Sequence, residues 1–139
     1  MKLGGAPSIK TNKEEGPKTL EKMLPFLKDS NEGKEFTEEQ TEQFIKAREN
    51  IAKQIGYNIQ RNDSSKYFNL SKGNFEIHIE HYMTSTTDRG FKNGRIKELT
   101  IADKKNPQQD IYGFYGTNLL VGTDQNAKKM FDEIVKYFN

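Results

Sequence analysis

The chain contains no cysteine, which removes disulfide frameworks, thiolate zinc sites, iron–sulfur clusters and cysteine nucleophiles together. It has only two histidines, so imidazole chemistry must pass through His78 or His81. Nowhere do about 18 apolar residues run together, and Met1 to Pro7 lack the roughly 7 to 15 apolar residues of a signal peptide. The chain is therefore expected to be soluble and without a transmembrane segment. Hydrophobic residues make up only 32% of the 139 against 30% charged, which predicts a thin core drawn from Phe, Tyr, Ile and Leu. A formal charge of +2 is too small for a field that recruits nucleic acid or anionic membrane, and its small excess lies beyond residue 56. There is no internal repeat, which excludes solenoids and propellers.

What is present divides the chain. The Gly/Pro/Lys/Glu-rich stretch over residues 1–16 reads as a flexible polar tail, and residues 17–139 as a single α+β domain. Such a tail would also suit an exported or lipid-anchored domain of unknown ligand; the sequence leaves the compartment open, with the cytoplasm ahead of export. Leu20, Met23, Leu24 and Leu27 recur at helical spacing, but Pro25 interrupts them and predicts a short or kinked helix, followed by a loop over 29–34. Thr37-Glu38-Glu39-Gln40 matches a capping box, and the stripe Phe44, Ala47, Ile51 and Ile55, widened by Ile45 and Ala52, predicts a helix over 38–55 stopped by Gly56.

From Tyr57 the period changes to two. Strands are predicted near 57–59, over 66–71 and 74–83 around a Lys72-Gly73 turn, over 95–102 after an Asn93-Gly94 turn, over 111–115 and over 119–121. On the second long strand Phe75, Ile77, Ile79, His81 and Met83 share the core face, and Glu76, His78, Glu80 and Tyr82 the other. A last amphipathic helix over 124–138, capped by Thr123 or Asp124, is predicted to bury Ala127, Met130, Phe131, Ile134, Val135 and Phe138. The fold class is α+β: two N-terminal helices, a four- to six-stranded, mainly antiparallel meander sheet, and a C-terminal helix packed on one sheet face.

Chemistry-bearing patterns are few. His78 and His81 point to opposite faces of a strand and cannot share one metal, and His78 with Glu80 supplies only two ligands of the three that a site needs, so no metal or cofactor is expected. Glu76 and Glu80 stand roughly 13 Å apart along the strand, wide for a pair of catalytic carboxylates. For a pair of carboxylates, a cross-strand partner such as Glu98 would serve better than two glutamates of one strand, but the sequence does not fix its register. There is no Gly-x-Ser-x-Gly elbow, and Gly116 to Thr123 lacks the lysine of a phosphate loop. Tyr112 to Gly116 matches an RNA-binding aromatic strand only at its central Gly-Phe pair. No enzymatic activity is expected.

The remaining signal is tyrosine among charges. Tyr67, Tyr82, Tyr112 and Tyr115, with His78 and Glu80, are the candidate partner-binding residues of an exposed sheet face, since tyrosine contributes large contact area at low entropy cost. This predicts a non-enzymatic protein-binding module, such as a small inhibitor or immunity-type protein. The alternative is a nucleic-acid-binding accessory protein using Lys92, Arg95, Lys97, Lys104 and Lys105. The oligomeric state is not legible.

Overall fold

The computed structural model describes residues 16–28, 34–60, 62–85 and 89–139. The polar tail expected over 1–16 lies outside them except for Gly16, and the loop expected over 29–34 lies outside them except for Lys34.

Helix α1, Leu20–Met23, is a single turn capped by the Thr19 side chain; a 3₁₀ turn, Pro25–Lys28, follows. Proline removes the donor a continuing helix would need, which accounts for the break. Helix α2, Glu38–Gln54, carries the full capping box: Thr37 Oγ1 accepts from the Gln40 amide at 3.1 Å and Gln40 Oε1 accepts from the Thr37 amide at 3.0 Å. It closes in a Schellman pattern. Gly56 takes φ +89°, its amide donating to Lys53 and that of Tyr57 to Ala52.

Six antiparallel strands then meander in chain order: β1 Asn58–Ile59, β2 Tyr67–Lys72, β3 Phe75–His81, β4 Ile96–Asp103, β5 Asp110–Tyr115 and β6 Asn118–Leu120. Helix α3, Gln125–Phe138, closes the domain, with Asp124 accepting from the Asn126 and Ala127 amides. Phe68, Leu70, Ile77, Ile79, Leu99, Ile101, Tyr112 and Phe114 turn one sheet face inward, where they form the core with residues of all three helices. The fold is α+β, with the C-terminal helix on one side of an antiparallel sheet.

Both expected tight turns lie one residue away from where the sequence reading puts them. Lys72 pairs with Phe75, so the β2–β3 turn is Gly73-Asn74, with Gly73 at φ +58° in its first central position. The Lys72 ammonium is thereby kept on the strand, 4.7 Å from the Tyr57 ring centroid. Before β4, the positive-φ residues are Lys92 (φ 50°) and Asn93 (φ 60°), and Gly94 donates to the Phe91 carbonyl. Gly94 is needed for another reason: a Cβ there would lie 2.2 Å from the Asn139 side chain. That amide accepts from Ile96 N at 3.0 Å and donates to Phe91 O at 2.9 Å, locking the end of α3 to the turn.

Three core assignments also change. Met83 lies beyond the end of β3, past a bulge at Glu80/His81, and is 44% exposed. The strand ends at His81, so its alternation does not extend to Met83. Met130 and Val135 sit at the margin of α3 and are only half-buried, whereas Ala127, Phe131, Ile134 and Phe138 are buried.

Ionisable side chains are buried as well, Arg48 and His81 among them. Arg48 lies on the inward stripe of α2, its guanidinium 4.6 Å from the Phe68 ring centroid and donating to the Asn62 carbonyl at 3.1 Å. Burial lowers its pKa to about 10, against the opposing pull of Glu49, so it keeps its charge at neutral pH. His81 packs between Phe44 and Phe68, and its Nε2 donates to the Phe138 carbonyl at 2.9 Å.

Candidate functional site

Among the described residues the three helices lie on one side, and these residues leave the other face of the sheet open. Strand pairing lays three rows of side chains across it. The first is Tyr67, Glu80, Glu98 and Tyr115; the second Asn69, His78, Thr100 and Gly113; the third Asn58, Ser71, Glu76, Ala102 and Asp110. Ser71, Thr100 and Ala102 are small, and the face is hollowed there into a shallow groove of about 510 Å³ whose lining includes Asn69, Glu76, His78 and Asp110.

His78 is the centre of this face. Its Nδ1 meets Asn69 Oδ1 at 2.9 Å, and its Nε2 lies 3.3 Å from Glu80 Oε1 and 3.8 Å from Glu98 Oε2. With Asn69 Oδ1 as acceptor Nδ1 is its donor, and Nε2 faces two carboxylates, so both ring nitrogens meet oxygen acceptors. Glu80 and Glu98 are direct cross-strand partners. Like charges placed so are destabilising unless a cation lies between them. Asn69 and Glu98 were not among the residues singled out as partner-binding, because only the strand register brings them to His78.

The other sequence candidates divide. Tyr67 and Tyr115 are 42% and 37% exposed and flank the first row. Tyr112 is only 6% exposed and lies on the opposite face, pairing with Ile101 and packing at 5.0 Å against the Phe131 ring. It belongs to the core because Tyr112 and Phe114 share one side of β5. Tyr82 follows β3, half-buried, with the Arg89 guanidinium 4.6 Å above its ring.

The basic residues of the nucleic-acid alternative do not gather. Arg95 is buried, donating to the Leu27 carbonyl and, at 3.4 Å, to Glu21 Oε2; burial lowers its pKa although Glu21 opposes the shift. It fastens the N-terminal segment to the sheet. Lys92 stands before β4, while Lys104 and Lys105 follow it, so about 25 Å of strand separates them. Lys97 is exposed at the β3–β4 bulge.

Among the described residues, no helix is long and apolar enough to cross a membrane. Comparison of the chain with protein families, with curated proteins and with solved structures finds no match.

Proposed function

We propose that the protein is a non-enzymatic binding module that receives a basic segment of another protein on its open sheet face. The observation that carries this reading is the charge of the groove. Among the described residues its lining holds Glu76 and Asp110 and no lysine or arginine, and Glu80 and Glu98 stand in the neighbouring row. In a chain whose formal charge is +2, this local acidity selects a cationic partner and repels nucleic acid. Tyr67 and Tyr115 at the two ends of the first row supply the exposed aromatic area on which protein interfaces draw. Acting as an inhibitor or immunity-type protein, the module would cover the partner's basic surface with this face.

Capture of a partner from source-cell lysate by the immobilised protein tests the reading. Changing Tyr67 and Tyr115 to Ala, or Glu76→Gln with Asp110→Asn, is expected to weaken capture about tenfold, with melting curves unchanged. Capture should also fall as salt rises from about 0.05 to 0.5 M, as screening shortens the reach of the groove's charge. Equal capture by wild type and both variants would reject the face.

A further inference from the structure

The strand register creates a constellation that the linear sequence hides. His78 and Glu80 lie two positions apart on β3, Glu98 is the cross-strand partner of Glu80 on β4, and one donor atom from each lies within 4.8 Å of the others. We infer that His78, Glu80 and Glu98 form a binding site for a divalent transition-metal ion, with zinc fitting the donor set.

The distances suit such an ion. Bonds of about 2.0–2.1 Å at tetrahedral angles place neighbouring ligand atoms about 3.4 Å apart. His78 Nε2 lies 3.3 Å and 3.8 Å from the two carboxylate oxygens, so small side-chain rotations bring the three onto one centre. The donors are one imidazole nitrogen and two carboxylate oxygens. That mixture suits zinc better than calcium or magnesium, which take all-oxygen shells, and it contains no thiolate or thioether sulfur of the kind that favours copper(I).

Asn69 supplies the outer support. Metal-bound histidines characteristically donate their second ring N–H to an oxygen, which fixes the tautomer and aims the ligating nitrogen. The Nδ1–Asn69 Oδ1 hydrogen bond of 2.9 Å does this from the adjacent strand β2. The three side chains are half-buried, at 34%, 23% and 34% exposure. A fourth coordination position is therefore open to water or to an arriving ligand. The site does not rest on the protein-partner reading, although it shares the face with it: an ion held there would offset the charge that Glu80 and Glu98 place beside the groove.

Calorimetric titration of the full chain with zinc chloride, paired with the visible absorption of added cobalt(II), tests it. The expected result is one ion per chain and a tetrahedral cobalt spectrum, both lost in His78→Ala and in Glu98→Gln. Asn69→Leu should bind about 10- to 100-fold more weakly, whereas Glu76→Gln, on the same face but outside the triad, should bind as wild type. Circular dichroism confirms that each variant is folded. Absence of zinc uptake by the wild type, or uptake undiminished in folded His78→Ala and Glu98→Gln, would overturn the site. Neither outcome bears on the capture of a protein partner, which is measured with the triad intact.

Discussion

Phe131→Ala is expected to cost about 3 to 5 kcal/mol of folding stability, the range for truncating a buried aromatic side chain. Phe131 is 4% exposed and joins three parts of the fold: its ring lies 5.4 Å from Phe91 before β4 and 5.0 Å from Tyr112 on β5, while its backbone belongs to α3. Phe91 in turn packs at 4.8 Å against Phe114. Removing one ring leaves a cavity under a helix that the sheet can follow inward only by disturbing the Asn139 lock at Gly94. Domains of this kind have about 5 to 15 kcal/mol in total, so with hydrophobic residues at only 32% of the chain the loss is a large share. Equilibrium urea denaturation reads it directly; a cooperative transition within about 1 kcal/mol of wild type would show that the ring is not the keystone its contacts imply.

Acid should produce the next largest effect, through His81. Burial lowers its pKa from 6.5 to about 4; Arg48 and Arg95 push in the same direction, and the hydrogen bond to the Phe138 carbonyl opposes them. Because the folded state holds His81 neutral while the unfolded chain protonates it near pH 6.5, the unfolded state binds more protons between these values. The stabilising contribution is complete above about pH 6.5 and is lost as the pH falls through that window to about 4, amounting to about 3 kcal/mol at its lower end. His81→Phe removes the titration and preserves a ring between Phe44 and Phe68. It also leaves the Phe138 carbonyl without its donor, a cost of about 1 kcal/mol that does not vary with pH. The diagnostic quantity is therefore the slope of stability between pH 6.5 and 4, which should be shallower in the variant. Identical slopes in the two proteins would mean that His81 is already charged in the fold.

Local physics made much of this architecture legible in advance. The capping box at Thr37 and the glycine at position 56 mark both ends of α2, and the 3.6-residue stripe from Ala127 to Phe138 marks α3, because helix signals are written within a few neighbouring residues. Strand periodicity placed His78 opposite His81 correctly. The same rule puts Tyr112 beside Phe114 on the inward face, but reading the tyrosine for its hydroxyl and contact area obscured that parity. Arg48 falls on the inward stripe with Phe44 and Ile51, and its charge hid the position. The pairing of Glu80 with Glu98 and the approach of Asn69 to His78 depend on register between strands, which is set by bulges and turns displaced by a single residue. A one-residue slip would move every side chain to the other face. The functional candidates were therefore harder to read than the scaffold that carries them.

If the open face is the working surface, amide chemical-shift mapping with the partner captured by the intact protein decides the matter. The shifts should cluster in the three cross-strand rows, at Tyr67 and Tyr115, at Asn69 and His78, and at Ser71 and Glu76, with the outer surfaces of α2 and α3 unmoved. Shifts confined to the shallow surface of α2 around Lys46, Asn50 and Lys53, with the rows unchanged, would contradict it and place recognition on the helical side of the domain.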